Sequence, residues 1–226
     1  MLLLKASFIL LSNLLICAMV HADENKAYVQ FNAGAVFAPT YVQDYQETYS
    51  SSSYSSHYKE SFDTGFAASI ALGYRLADVF RVEGELLYQA NNRDQAHSKS
   101  TYYSSYTGET DTYRHSEKLK GTRDRSAFLI NSYYDFKNRT AFTPYITGGV
   151  GVYYLRLNGI ESGIVENNID FAWQAGAGIH YKLNDRVGFD LKYRYFGGSD
   201  ATLVNRGDTL FEVGDHQVMA GIRIGF

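Results

Sequence analysis

The chain has 226 residues and a formal net charge of −3, with 20 tyrosines, 20 glycines, two prolines and one cysteine. This length suits one domain of about 100–250 residues. The mildly acidic balance is not typical of nucleic-acid-binding proteins, which need a clustered basic surface, and a single cysteine excludes an internal disulfide framework.

The N-terminal 22 residues have the features of a secretory signal peptide. Lys5 precedes an apolar run over residues 6–20, and a small-x-Ala pattern ends at Ala22. We expect cleavage after Ala22, which gives a signal peptide over residues 1–22 and a single domain over residues 23–226. The alternative is an uncleaved anchor helix, whose apolar core would be shorter than a membrane span requires.

Eight segments alternate apolar and other residues with a period of two, which is typical of β-strands with one apolar face. In chain order they are residues 27–37, 64–76, 80–90, 125–136, 142–155, 171–183, 187–195 and 216–226. Strands in soluble proteins typically hold about 5 or 6 residues, whereas a tilted strand needs roughly 9–11 to cross a bilayer. The length of these segments therefore predicts membrane-spanning strands.

The connections between the eight segments are alternately long and short. The long connections are residues 38–62, 91–121, 156–168 and 197–214, and the short ones are residues 77–78, 137–141 and 184–185. Short turns at one end and long loops at the other are the arrangement of transmembrane barrels. Such a sheet must close, because lipid cannot satisfy the polar groups of an open edge. We predict an all-β fold, an eight-stranded antiparallel transmembrane up-and-down β-barrel with short periplasmic turns and long extracellular loops.

Charged residues sort to one face of the predicted strands. The faces assigned to the barrel exterior hold no Asp, Glu, Lys or Arg in their central segments, in line with a cost of roughly 2–4 kcal/mol for a lipid-facing Arg or Lys at mid-membrane. The predicted lumenal polar network consists of Arg75, Arg81, Glu83, Glu85, Asp135, His180, Lys182, Asp190, Lys192, Arg194 and Arg223. Basic and acidic groups are in near balance, which permits pairing.

Outward aromatic residues gather near the strand ends, where membrane proteins place them at the lipid boundary. One predicted girdle comprises Tyr74, Phe80, Tyr134, Phe136, Phe142, Tyr181 and Phe226, and the other Phe37, Phe66, Tyr88, Tyr154, Phe171, Tyr193 and Tyr195. A secreted soluble barrel with an apolar interior would also alternate. Strand length, the girdles and the terminal phenylalanine favour the membrane barrel.

Two motifs connect this chain to a known family. Residues 131–136 read Asn-Ser-Tyr-Tyr-Asp-Phe, and residues 144–151 read Pro-Tyr-Ile-Thr-Gly-Gly-Val-Gly. With the C-terminal phenylalanine, they resemble the eight-stranded outer-membrane β-barrel superfamily, which includes the OmpA transmembrane domain, OmpX and the opacity-type surface proteins. The resemblance implies an integral protein of the bacterial outer membrane after Sec-type export. It also implies that Ile222, Ile224 and Phe226 form an assembly signal for the barrel-assembly machinery.

Two readings of the lumenal network stay open. An eight-stranded barrel has room for side chains but hardly for a channel, so the network is either a polar plug or a narrow ion path. Catalysis by Glu83 and Glu85 is disfavoured, because Arg81 on the same face explains them as an ion pair. No histidine shows a recognisable arrangement with a membrane-level serine, as acyl-transfer chemistry would need. We expect neither a cofactor nor a metal site.

The first two long loops are the predicted contact surface. Their tyrosines are interleaved with serines, as in antibody binding loops, where Tyr supplies contact area at low entropic cost. The predicted contacts are Tyr45, Tyr49, Tyr54, Tyr58, Tyr102, Tyr103, Tyr106 and Tyr113. The alternative is a solvated loop that merely faces lipopolysaccharide or varies under immune pressure.

The sequence predicts a non-enzymatic outer-membrane surface protein, an adhesin, antigen or envelope-structural barrel. Expected partners are outer-membrane lipid and lipopolysaccharide, the barrel-assembly machinery and a host or matrix ligand at the loops, with no nucleic acid. A small porin is the alternative, and a lipid A-modifying enzyme is a second one.

Overall fold

A computed structural model describes residues 26–158, 169–199, 201–202, 209–211 and 214–226. The predicted signal peptide therefore lies outside the described residues. The strands are β1 Ala27–Phe37, β2 Tyr41–Tyr49, β3 Ser52–Phe62, β4 Gly65–Ala77, β5 Phe80–Ser104, β6 Glu109–Lys118, β7 Thr122–Asp135, β8 Phe142–Asn158, β9 Ile169–Lys182, β10 Val187–Gly198, β11 Ala201–Thr202, β12 Thr209–Phe211 and β13 Gly214–Gly225. No helix in this part of the chain is long and apolar enough to cross a membrane.

Eight antiparallel strands form a closed ring. The order runs β1, β4, β5, β7, β8, β9, β10 and β13, and β13 pairs with β1 again. Closure gives every barrel strand two hydrogen-bonded neighbours, so the barrel has no free edge. The predicted all-β, eight-stranded antiparallel barrel is confirmed.

Side chains alternate between the two surfaces of the ring, as a strand requires. Phe31 is 49% exposed, Ile130 51% and Leu191 54%, and all three point outward. The inward positions hold buried polar and charged groups instead, such as Arg81 and Glu85, both at 0% exposure. An apolar exterior around a polar interior reverses the usual arrangement of a soluble protein and suits a surrounding of lipid.

The short connections lie at one end of the barrel and are held by local hydrogen bonds. In the turn between β9 and β10, the Oδ1 atom of Asn184 accepts hydrogen bonds from the backbone N–H groups of Arg186 and Val187 at 2.9 and 2.8 Å. Between β7 and β8, Asn138 Oδ1 accepts from the backbone N–H of Thr140 at 2.8 Å. Asn in this role stabilises a tight turn.

The long connections predicted over residues 38–62 and 91–121 are present, and they consist largely of strands rather than irregular loop. They form the hairpin β2–β3 and an upward continuation of β5 that pairs with β6. With β5 in the centre, residues 41–62 and 93–118 make a four-stranded sheet in the order β2, β3, β5, β6. We call this sheet the extension. Most of the two remaining long connections lies outside the described residues.

Candidate functional site

Arg81 is the centre of one ion cluster inside the barrel, near the short-turn end. Its Nη1 lies 2.6 Å from Glu83 Oε1, and its Nε lies 3.1 Å from Asp135 Oδ1. The Tyr28 hydroxyl donates to Glu83 Oε1 at 2.7 Å. The guanidinium also lies 3.7 Å from the centre of the Tyr133 ring, a cation–π contact. One buried cation is thus compensated by two carboxylates and an aromatic face.

Asp190 is the centre of a second ion cluster, on another side of the lumen. Arg223 Nη2 lies 2.7 Å from Asp190 Oδ1, and His180 Nδ1 lies 2.9 Å from Asp190 Oδ2. Arg223 Nε also donates to Gln30 Oε1 at 3.0 Å. These contacts join β9, β10, β13 and β1, so the cluster ties together one side of the ring.

Glu85 has the most extensive set of partners at the middle of the barrel. Its Oε2 atom accepts from Arg194 Nη1 at 2.7 Å and from Asn131 Nδ2 at 2.8 Å. Lys192 Nζ lies 3.7 Å from Glu85 Oε1, and Gln217 Oε1 accepts from Arg194 Nε at 2.8 Å. Two cations therefore depend on one fully buried carboxylate. Buried charges persist when they are paired and hydrogen-bonded in this way.

We call these three groups the lumenal network. Its members are Arg81, Glu83, Glu85, Asp135, His180, Asp190, Lys192, Arg194 and Arg223. Four Lys or Arg side chains face four carboxylates, and the ion pair between Glu85 on β5 and Arg194 on β10 spans the lumen. This arrangement favours a polar plug over an ion path, since an eight-stranded barrel has room for little more than side chains.

Two residues predicted for the network are placed differently. Lys182 lies at the end of β9, where its side chain is 58% exposed and its Nζ lies 2.7 Å from Asp185 Oδ1 in the adjacent turn. The period of two puts it on the inward face, but the strand ends there, so water reaches the ammonium group. Arg75 is half-buried opposite Arg81, and its Nε atom has no hydrogen-bond partner within the described residues.

A further buried cluster near the long-connection end is missing from the sequence prediction. Asp215 forms ion pairs with both Arg123 and Arg125, and it accepts a hydrogen bond from Gln89 Nε2 at 2.7 Å. The Arg125 guanidinium lies 4.9 Å from the Phe196 ring centre. Arg123 and Asp215 fall just beyond the predicted strands. Continuing the alternation of Arg125 and Gln217 by one step would have placed both in the lumen.

The extension has two distinct faces, because residues paired across antiparallel strands point the same way. One face carries tyrosines from all four strands, and we call it the tyrosine face. Its tyrosines are Tyr41, Tyr45, Tyr49, Tyr54, Tyr58, Tyr102 and Tyr113. Of the other predicted contacts, Tyr103 lies on the opposite face, and Tyr106 is 88% exposed in the turn between β5 and β6.

Contacts among neighbouring side chains order the tyrosine face. The Tyr45 and Tyr54 ring centres are 6.2 Å apart, and those of Tyr41 and Tyr58 are 6.4 Å apart. The Tyr49 hydroxyl donates to Glu47 at 2.5 Å. Hydrogen bonds from Tyr45 and Tyr49 lower the pKa of Glu47, and the same carboxylate raises the pKa of Tyr45 to about 12. A carboxylate held between phenols stays ionised at neutral pH.

A buried ion pair joins β3 and β5 at the base of the extension. Glu60, which is 2% exposed, accepts from Arg93 Nε at 2.7 Å and from Arg93 Nη2 at 3.1 Å. Phe62, on the same side of β3, lies under the Arg123 guanidinium at 4.8 Å. A two-pronged Arg–carboxylate contact fixes direction as well as distance, and the contact between Phe62 and Arg123 connects this base to the barrel.

His57 and His216 are hydrogen-bonded to a carboxylate and to a tyrosine hydroxyl, respectively. His57 Nδ1 lies 2.5 Å from Asp44 Oδ1, and the Tyr193 hydroxyl lies 2.6 Å from His216 Nδ1. No group of three or more His, Cys, Asp or Glu side chains among residues 26–158, 169–199 and 214–226 is placed to hold a metal ion.

Comparison with known proteins gives one family and several relatives. Residues 8–223 match the family described as "Outer membrane protein beta-barrel domain". The outer membrane protein PagN of Salmonella typhimurium is 28% identical over 146 residues, which are 61% of this chain and 59% of PagN, so the match spans less than two thirds of that relative. The crystal structure of neisserial surface protein A has a TM-score of 0.55 at 18% identity, covering 88% of this chain and 97% of that one. OprG from Pseudomonas aeruginosa has a TM-score of 0.46 at 15% identity, covering 89% and 94%.

Proposed function

Because this chain belongs to the outer-membrane β-barrel protein family, we propose that it is a non-enzymatic surface protein that binds an external ligand through the tyrosine face. The family places the protein in the bacterial outer membrane, among lipid and lipopolysaccharide. Short turns in such barrels are periplasmic and long connections extracellular, so the extension projects from the cell. Cleavage after Ala22 and recognition of Ile222, Ile224 and Phe226 by the assembly machinery stay predictions.

The observation that carries the proposal is the gathering of tyrosines on one side of a four-stranded, hydrogen-bonded sheet. Tyr45 is 48% exposed, Tyr49 60%, Tyr102 45% and Tyr113 70%. Exposed tyrosines that are already ordered lose little entropy on binding and supply both apolar area and a hydroxyl. A contiguous exposed patch of large aromatic side chains on a protein surface typically marks an interaction site.

Charge on the tyrosine face favours a basic ligand. The acidic residues at its paired positions are Glu47, Glu60, Glu109, Asp111 and Glu117. Of these, Glu60 is occupied by Arg93, while Glu47, Glu109 and Asp111 are exposed near the tip. Complementary charge raises the association rate and excludes acidic competitors. We infer that the ligand is a protein or matrix segment that presents Lys or Arg beside apolar surface.

The two alternatives from the sequence have less support. Conduction would need a path through the lumenal network, whose charges are paired within the barrel. Lipid modification would need a serine activated by a histidine at membrane level, whereas His180 lies on Asp190 in the lumen and His57 on Asp44 in the extension.

Adhesion of bacteria that display the protein tests the proposal. Cells carrying the wild type, or a variant with Tyr45, Tyr54 and Tyr102 replaced by Ser, are applied to epithelial monolayers and to surfaces coated with matrix proteins. We expect the variant to lose at least about tenfold in adherent cells, because central aromatic residues carry most interface energy. Deleting residues 41–58 and 97–115 should abolish adhesion while leaving the barrel folded.

A matched control changes the opposite face of the same strands. Replacing Val42, Tyr103 and Thr112 by Ser alters a similar number of residues on that face and should leave adhesion within about twofold of wild type. Surface display is checked by antibody, and folding by the shift in gel migration on heating. Equal adhesion by the wild type and the tyrosine variant would refute the proposal.

A further inference from the structure

The face of the extension opposite the tyrosines carries the cations. Its paired positions hold Lys59, Lys99, Arg114 and Lys118. The single acid at these positions is Asp44, which is bonded to His57. The tyrosine face has no Lys or Arg at any of its paired positions within residues 41–60 and 96–117. We call the cation-bearing side the basic face.

The register fixes which way each face points. Phe62 pairs with Arg93 at the top of the barrel and lies beneath Arg123, a lumenal residue. Glu60 is two residues from Phe62 on β3, on the same side, and it begins the tyrosine face. Between these two pairs β5 has one residue more than β3, because Phe62 pairs with Arg93 and Glu60 pairs with Ala96. The tyrosine face is therefore continuous with the barrel interior, and the basic face with the lipid-facing exterior.

The cations also lie in the half of the basic face nearest the barrel. Lys118 is in the first row above it, Lys59 in the second, and Lys99 and Arg114 in the third. The two rows at the tip hold only uncharged side chains. They are Gln46, Ser55, Thr101 and Thr112, then Thr48, Ser53, Tyr103 and Thr110. Positive charge is thus confined to the three rows nearest the membrane.

These cations have no carboxylate of their own. In the described part of the chain, none of Lys59, Lys99, Arg114 and Lys118 forms an ion pair. Side chains of this kind on an exposed surface are free to meet an external anion. On this face a host ligand approaching from outside would first meet the two uncharged rows at the tip, whereas an anion in the surrounding leaflet would meet the lower rows from the side.

We propose that the basic face docks against phosphate groups of the lipopolysaccharide molecules that surround the barrel. The contact is lateral: the phosphate-bearing sugar layer of the lipopolysaccharide lies against the three rows of the basic face that hold cations. It adds electrostatic attraction of the kind that holds basic segments at anionic leaflets. It also holds the extension at a fixed tilt, with the tip above the sugar layer. The proposal stands independently of the ligand proposed for the tyrosine face.

The test measures binding of purified phosphorylated rough lipopolysaccharide to the full chain folded in detergent micelles. The variant replaces Lys59, Lys99, Arg114 and Lys118 by Gln. We expect the variant to bind at least about tenfold more weakly, and wild-type binding to weaken as salt rises because exposed charges are screened. Chemically dephosphorylated lipopolysaccharide should bind wild type as weakly as the phosphorylated form binds the variant.

A second variant keeps the test specific to this face. Replacing Glu47, Glu109 and Glu117 by Gln changes exposed charges on the tyrosine face and should leave lipopolysaccharide binding undiminished. Both variants must show the heat-dependent gel shift of the folded barrel. Equal binding of phosphorylated lipopolysaccharide by the wild type and the four-residue variant would overturn the proposal. Dextran sulfate serves as a soluble polyanion for comparison. If the four-residue variant loses dextran sulfate binding but keeps lipopolysaccharide binding, the proposal is overturned and the face is assigned to a soluble polyanion.

Discussion

Replacing Glu85 by Gln should destabilise the barrel strongly, because one carboxylate compensates two cations in the lumen. Gln keeps the shape of the side chain and removes only its charge. Arg194, 2.7 Å from Glu85, and Lys192, 3.7 Å from it, would then be left without that carboxylate. Removing one partner of a buried ion pair costs about 3–5 kcal/mol. We take about 3 kcal/mol as the expected loss in the free energy of unfolding.

Urea unfolding in phospholipid vesicles measures this loss. The chain has one tryptophan, Trp173, which points outward from the barrel and is 40% exposed. Its emission therefore reports directly on contact with lipid. The midpoint of the transition should fall in the Glu85→Gln variant and stay unchanged in Glu47→Gln, which removes an exposed carboxylate from the extension.

A second substitution separates lost charge balance from lost packing. Adding Lys192→Met to Glu85→Gln removes one of the two unpaired cations and should restore more than about 1 kcal/mol. A loss below about 1 kcal/mol in the single variant, or no recovery in the double variant, would refute the view that the lumenal network is a dry, charge-compensated plug.

Two further predictions concern packing and ionisation. A Cβ atom on Gly73 would lie 2.1 Å from the Tyr28 ring, so Gly73→Ala should cost about 1–3 kcal/mol in urea unfolding by overpacking the lumen. Hydrogen bonds from Tyr45 and Tyr49 lower the pKa of Glu47, so replacing both tyrosines by Phe should raise its titration midpoint, measured by carbon-13 NMR. The native contact favours the ionised form and is lost only as pH falls through the lowered pKa.

Each of these two predictions has a control from the same part of the molecule. A Cβ on Gly84 meets no atom closer than 3.9 Å, so Gly84→Ala should leave the unfolding midpoint nearly unchanged. Tyr103 is on the basic face, and Tyr103→Phe should leave the Glu47 titration where it is. A Gly73 variant as stable as the Gly84 variant, or a Glu47 midpoint indifferent to Tyr45 and Tyr49, would contradict the described contacts.

The barrel strands are predictable because lipid imposes a strong contrast between their two faces. Outward positions such as Phe31 and Leu191 carry no charge in the strand centres, and the charges of Glu85 and Arg194 follow from the opposite parity. An Arg or Lys on the outward face would lie in hydrocarbon at a cost of a few kcal/mol. Because charges are kept off that face, the sequence shows a clear period of two.

The extension is not predictable in the same way, because both of its faces meet water. Tyr54 and Ser55 alternate on β3, and Tyr102 and Thr101 on β5, with no apolar–polar contrast to mark a strand. Tyr and Thr do favour strands, and that propensity is the signal that was available. The segregation of tyrosines from lysines appears only once the register between four strands is known.

Strand ends account for the remaining differences within the barrel. Arg123 and Asp215 lie one step beyond the predicted strands and form the buried cluster near the extracellular end. At the other end, Lys182 has the parity of a lumenal residue, yet it lies at the last position of β9 and bonds to Asp185. Parity gives the direction of a side chain, while burial depends on how far the neighbouring strands extend.

Planar-bilayer recording tests the central claim most directly, namely that the barrel is a sealed scaffold whose function lies in the extension. The full chain, shown to be folded by its heat-dependent gel shift, is inserted alongside a known porin as a control for fusion. Charges paired with one another across the lumen predict a silent membrane at both polarities. Reproducible conductance steps from the wild-type protein, altered by Glu85→Gln, would contradict the claim and identify the lumenal network as part of an ion path.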